Sequence, residues 1–207
     1  MSRGRNFRFV ASSLAATCML VLGGGAVYAA DLNKLVEDCA DCHGKNGNSK
    51  INESPSIAGM STEYFKETMG GYTKNTRPAA KLKDKKKTMK DVVKKLSDAD
   101  KVALANHYAK QKFVPFKQDF DAGKAKAGKK LHKKYCDKCH SEGGTSAEDD
   151  AGILAGQPKG YLKYSMTNYA KGKREMGKKM AKKYKKMMKK EGDEGIDKLV
   201  HYYASQQ

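Results

Sequence analysis

Cys39-Ala40-Asp41-Cys42-His43 and Cys136-Asp137-Lys138-Cys139-His140 are the two stretches that decide how this chain is read. Each sets two thiols two residues apart and follows the second with a histidine. Thiols at that spacing can add to the two vinyl groups on one edge of a porphyrin, and the histidine then lies under the iron as its proximal ligand. Two copies mean two covalently attached haems. The competing chemistries fit less well. A zinc site would need both cysteine pairs to converge, and it leaves each copy's own histidine unexplained. A thioredoxin-like dithiol follows a strand in a βαβ unit, and no such pattern surrounds either pair.

The repeat extends well beyond the motif. A shift of 97 residues places Cys39, Cys42 and His43 on Cys136, Cys139 and His140. It also places Ile57-Ala58-Gly59 on Leu154-Ala155-Gly156, Tyr64 on Tyr161, Tyr72 on Tyr169 and Arg77 on Arg174. Past Arg77 the register changes by ten, because the first copy holds an extra lysine-rich stretch around Pro78 to Lys87. The ends realign as Leu104-Ala-Asn-His-Tyr-Ala and Leu199-Val-His-Tyr-Tyr-Ala. Such self-similarity is the mark of a duplicated unit.

Each copy reads as helical. Helices are expected before each motif, from Leu32 to Cys39 and from Ala125 to Cys136, with Leu32, Leu35 and Val36 at helical spacing. Second helices follow at about Thr62 to Tyr72 and Lys159 to Ala170. A last helix opens on the capping signal Ser97-Asp98-Ala99-Asp100 and runs to about Lys112, its counterpart running from near Asp193 to near Ser205. No stretch alternates as a strand does. The fold class expected is all-α, with residues 30–112 and 124–207 forming two haem domains joined by 113–123, where Pro115 blocks helix continuation. Each domain has a small core, and the haem supplies an apolar plate for its helices to pack on.

The first residues read differently. Arg3, Arg5 and Arg8 precede an apolar run from Val10 to Leu22 and a small-residue tail, the layout of a signal peptide over residues 1–29, with Cys18 leaving in it. The expected location is therefore periplasmic. Of 42 Lys and Arg, 39 remain against 23 acids once that leader is removed, a formal charge of +16. So basic a chain favours acidic partners. Export and the lack of any nucleic-acid motif exclude nucleic acid, and membranes are reached only through partners.

The second axial ligand is sought among methionines, whose soft sulfur stabilises reduced iron. Two pairs match between the copies. Met89 and Met176 precede the final helices and are favoured. Met69 and Met166 sit inside helices beside apolar neighbours, where packing is their expected role. Met180 stays open as an alternative to Met176; with Tyr184, Met187 and Met188 it forms a helical stripe of the core kind. Met60 and the spare His107, His132 and His201 are read as structural. The candidate haem-binding set is thus Cys39, Cys42, His43, Met89, Cys136, Cys139, His140 and Met176, with His43, Met89, His140 and Met176 on the irons. Ten lysines lie between Lys171 and Lys190 and eight between Lys81 and Lys95, either a solvated face or a docking surface for an acidic redox protein.

Pro55-Ser-Ile-Ala-Gly, Lys130-Leu-His-Lys-Lys-Tyr ahead of the second motif, Ile153-Leu-Ala-Gly-Gln, Met176-Gly-Lys-Lys-Met-Ala and the ending Tyr203-Ala-Ser-Gln-Gln together give a resemblance. The chain resembles the dihaem class I cytochromes of the cytochrome c4 type, and more narrowly the dihaem cytochrome subunit of flavocytochrome c sulfide dehydrogenase. The resemblance implies two class I domains facing each other with haem propionates near their interface. It implies His43 with Met89 and His140 with Met176 as ligand pairs. It also implies a sulfide-oxidising flavoprotein as electron donor. The FAD would sit on that partner, since no Gly-rich dinucleotide motif occurs here. The chain is then an electron-transfer protein and not itself an enzyme. A free cytochrome c4-like shuttle to a terminal oxidase is the second reading and a dihaem peroxidase the third; a firm methionine on both irons argues against the last.

Overall fold

Short polar caps start most of the helices. In the computed structural model, which describes Met1 and residues 31–207, Asp31 accepts the Asn33 amide to open α1 (Leu32–His43). The expected signal peptide lies outside the described residues. Ser61 accepts from the Tyr64 amide to open α2 (Thr62–Thr73). Thr88 with Asp91, and Ser97 with Asp100, form full capping boxes at α3 (Met89–Val93) and α4 (Asp98–Ala109). Asp121 caps α5 (Ala122–Tyr135). Two further helices, α6 (Lys159–Ala170) and α7 (Lys178–Ala204), complete the chain. There is no strand among the described residues, so the class is all-α.

Two differences from the sequence reading have physical causes. The helix expected from Asp193 is present, starting just past a kink at Gly192 (φ 59°, ψ −152°), but a further helical segment from Lys178 precedes it and the two together make α7. The methionine stripe explains the extension: Tyr184 and Met187 are buried, so the lysine-rich segment has an apolar side to pack. The two motifs also sit differently. In the first copy α1 runs through to His43, whereas α5 ends at Tyr135 and the second motif forms a turn. There the Cys136 and Asp137 amides both donate to the His132 carbonyl, tightening the chain.

Each copy has its own core. Phe65, Met69, Leu104, Ala105 and Tyr108 centre the first; Leu162, Met187, Leu199 and Tyr203 centre the second. The matched tyrosines Tyr108 and Tyr203 are both fully buried. Between the copies, the fully buried Gln157 accepts from the Ser56 amide (3.0 Å) and donates to the Ser56 carbonyl (2.9 Å). Asn52 receives the amides of Gly160 and Tyr161 from the other copy. Residues 113–121 follow an ordered path, with the Phe116 amide on the Gly156 carbonyl and Gln118 tied to Gln157 and Lys159.

α5 and α7 cross closely because α5 offers a glycine. A Cβ on Gly128 would lie 2.1 Å from the Lys198 carbonyl oxygen and 2.8 Å from Tyr202 Cβ. No helix among the described residues is long and apolar enough to cross a membrane.

Candidate functional site

α1 presents Cys39 and Cys42 three residues apart, hence on one helix face, and ends with His43. Gly44 follows at φ 75°, where a side chain would strike the Asn48 carbonyl. That turn carries the chain back over the histidine. His43 is buried, and its Nδ1 donates to the Pro55 carbonyl at 2.8 Å, so the lone pair stands on Nε2. Burial holds its pKa below the ordinary 6.5, with the Pro55 bond opposing and Arg77 adding to the effect. Nε2 faces Met89 Sδ at 3.5 Å. Met89 reaches that place as the first residue of α3, held by the Thr88 cap.

The second copy repeats half of this. His140 Nδ1 donates to the Gly152 carbonyl at 3.2 Å, and burial lowers its pKa likewise. Gly152 is Pro55 displaced by the 97-residue repeat. Met176 lies between α6 and α7, partly buried against the second core, and no His140–Met176 contact is present among the described residues. Met180 is also partly buried, on α7. Cys136 is half-buried beside Tyr203 and Cys139 is exposed. Burial pushes the Cys39 and Cys136 thiols up to about 11, so neither is poised as a thiolate. No three His, Cys, Asp or Glu side chains converge as a metal set among the described residues.

A cleft of about 590 Å³ opens on Cys39, Cys42, His43 and Met89 and runs to the other copy, reaching Tyr161 and Arg174. Its size lies in the range of about 300–1,000 Å³ found for cofactor pockets. The facing His43 and Met89 donors are the pair that would hold one iron.

At the inner end of the cleft stands a group whose importance the sequence reading missed, though the repeat had aligned its members. Arg77 donates to Thr68 and to the Tyr161 hydroxyl across the interface; Arg174 donates to Ser165, the counterpart of Thr68. Each guanidinium also lies over its own copy's tyrosine ring, Arg77 on Tyr72 at 5.1 Å and Arg174 on Tyr169 at 4.4 Å. Burial would raise the Tyr64 hydroxyl, yet the two guanidiniums bring it down to about 7. The half-buried Arg77 and the buried Arg174, without a carboxylate partner among the described residues, make an electropositive pocket that would suit the propionates of a haem.

Comparison with known proteins gives the family. The cytochrome c family model matches residues 26–110. The cytochrome c4 of Azotobacter vinelandii is 30% identical over 149 residues, 66% of this chain and 69% of that protein.

The chain belongs to the cytochrome c4 family.

It is accordingly a two-domain class I cytochrome with two covalently bound haem c groups, and an electron-transfer protein. Among solved structures, reduced cytochrome c4 from Pseudomonas stutzeri superposes with a TM-score of 0.68 at 24% identity, over 86% of this chain and all of that one. Thiosulfate dehydrogenase (TsdBA) from Marichromatium purpuratum gives a TM-score of 0.69 at 22% identity, over 85% of this cytochrome but 40% of that chain. At these identities the two likenesses are of fold.

Proposed function

We propose that this cytochrome is exported to the periplasm after loss of residues 1–29. There it relays single electrons between a haem in residues 30–112 and another in 124–207, joined by the linker 113–123. Cys39 with Cys42, and Cys136 with Cys139, hold the haems covalently; His43 with Met89, and His140 with Met176, are the axial pairs. The observation that carries this reading is His43 Nε2 opposite Met89 Sδ, on the cleft that holds both cysteines of the first motif. The bound haems supply a one-electron iron couple.

The chain's own residues set how that couple behaves. Pro55 and Gly152 fix the tautomer and the plane of the two histidines, which a neutral imidazole ligand requires. Thioether ligation favours reduced iron and raises the potential. Arg77 and Arg174 hold positive charge at the inner end of the cleft, where they would meet the carboxylates of a bound haem. The electron donor in this reading is a sulfide-oxidising flavoprotein that carries its own FAD, and the acceptor is a protein with an acidic surface. The family resemblance of Pro55-Ser-Ile-Ala-Gly and Met176-Gly-Lys-Lys-Met-Ala supports that donor.

Two experiments test the reading. Sulfide added to protein purified gently from its host reduces the haems rapidly and a flavin polypeptide co-purifies; slow reduction of a lone chain assigns the free shuttle instead. Met89→Ala and Met176→Ala each lower one haem potential and abolish half of the weak band near 695 nm that marks His/Met ferric haem, an approximate position expected of that ligation. An unchanged spectrum in Met176→Ala would transfer the ligand role to Met180.

A further inference from the structure

The two lysine clusters are not equivalent. In the first domain the cleft mouth sets Lys85, Lys86, Lys87 and Lys95 among five acids, Glu37, Asp38, Asp41, Glu53 and Asp84. Lys85 is bound to Asp41 at 2.6 Å. That surface is locally balanced.

The first part of α7 is not. Eight lysines lie between Lys178 and Lys190 with no acid among them, and all eight are exposed. None takes part in an ion pair among the described residues. The acids that follow are held by other cations: Lys198 takes Glu194 at 2.9 Å, and Lys124 takes Asp197 at 2.7 Å. The kink at Gly192 separates the two charge regimes. At 3.6 residues per turn the eight lysines fall within one arc of roughly 160°, opposite the stripe that buries Tyr184 and Met187. The result is a continuous cationic face about 20 Å long.

Its position says what it is for. The inner side of the same helix packs on the second haem site. Tyr184 donates to the Met166 carbonyl, its ring centroid lies 6.0 Å from that of Tyr169, and its surroundings include Cys136. A body resting on the lysines stands about one helix diameter, roughly 10 Å, from the site that holds the haem. For a membrane lipid that proximity serves nothing; for a redox protein it sets the transfer distance.

We infer that the lysine face of α7 is the docking surface on which an acidic redox protein exchanges electrons with the second haem. This rests on the electron-carrier reading above and adds which domain meets the acidic partner. Lysine point charges spread on a convex face, with no aromatic or arginine anchor among them, suit a steered and transient encounter.

The test compares the holoprotein with two variants of equal charge loss. One carries Lys182→Gln, Lys183→Gln, Lys186→Gln and Lys190→Gln; the other carries Lys81→Gln, Lys83→Gln, Lys90→Gln and Lys94→Gln, exposed lysines outside the cleft lining. The probe is reduced plant-type [2Fe–2S] ferredoxin, an acidic one-electron donor, with haem reduction followed by stopped flow at about 10 mM and 500 mM salt. Screening lengths of about 30 Å and a few ångström bracket the effect. The α7 variant is expected to be about tenfold slower at low salt and to lose most of its salt dependence, the first-domain variant to change less than about threefold. Equal losses, or a larger loss in the first-domain variant, overturn the inference. So does an α7 variant with a normal ferredoxin rate that no longer sediments with phosphatidylglycerol vesicles, which would assign the face to a membrane. Wild-type haems that ferredoxin leaves oxidised, while dithionite reduces them, would remove the electron-carrier reading itself.

Discussion

Gly128→Ala is the sharpest test of how the second domain is closed. The new methyl would lie 2.1 Å from the Lys198 carbonyl oxygen, 2.6 Å from its carbon and 2.8 Å from Tyr202 Cβ. Favourable carbon contacts begin near 3.5 Å, so the helices must part by more than 1 Å. Two of the three obstructing atoms are backbone, which cannot rotate aside. Overpacking of this kind costs up to about 3 kcal/mol, and the better helix propensity of alanine returns about 1 kcal/mol. The net loss is about 2 kcal/mol, or roughly 30-fold in the folding equilibrium. Guanidinium unfolding of the holoprotein, followed by far-UV circular dichroism and haem absorbance, should show a lower midpoint for the transition that reports the second domain. Gly70→Ala is the control: it sits inside α2 with nothing within 4 Å of the added methyl. It should gain about 0.5–1 kcal/mol from a stiffer unfolded chain. A Gly128→Ala midpoint equal to or above wild type would refute the close crossing of α5 and α7.

The paired tyrosines make a second contrast. Tyr203 O–H donates to His132 Nδ1 at 3.0 Å inside the core, while the buried Tyr108 hydroxyl has only the weakly bonding Cys39 thiol beside it. Tyr203→Phe should cost about 1–3 kcal/mol and Tyr108→Phe close to nothing, measured by the same unfolding experiment. Acid should act through His132. Burial depresses its pKa, and Asp137 opposes that by accepting from Nε2 at 3.1 Å. The folded state therefore binds its proton less readily than the unfolded chain, whose histidine titrates near 6.5. This contribution is complete above about pH 6.5 and is lost as pH falls through that value toward the folded pKa. Replacing His132 with Phe should flatten the slope of stability between about pH 7 and 5; an unchanged slope would show that His132 is not the group responsible.

Much of this was legible in the sequence because it is carried by local chemistry repeated twice. The motif spacing gave two haems, the Ser97 and Asp100 signal gave α4, and the shift of 97 residues aligned Arg77 with Arg174 before either was seen at the interface. The same shift relates Pro55 to Gly152, the carbonyls that orient the two histidines, yet a carbonyl has no sequence signature and neither residue was read in that role. Gln157 was equally silent. It appeared as an unmatched position opposite Met60, and its pairing with Ser56 depends on a contact 101 residues distant. The helical stripe of Met180, Tyr184, Met187 and Met188 was visible in sequence, but among so many lysines it was not extended into a helix; burial of Tyr184 and Met187 shows that it is the first half of α7. The Gly128 crossing was hidden for a similar reason: a glycine at a helix contact is indistinguishable in sequence from one that weakens a helix.

A duplicated gene suggests two parts that can be separated, swapped or shortened, and the placement of two tyrosines says otherwise. Tyr64 of the first domain fills the space where a side chain on Gly152 would stand, its ring within 3 Å of that position. Tyr161 of the second lines the cleft beside Pro55. Each copy thus finishes the wall behind the other's proximal histidine. A single-haem fragment cut at the linker would keep its motif and helices but lose that wall, exposing the carbonyl that sets its histidine to water. The two halves are therefore co-dependent, and even the extra stretch around Pro78 to Lys87 lines the cleft that reaches from the first copy to Tyr161 and Arg174 of the second.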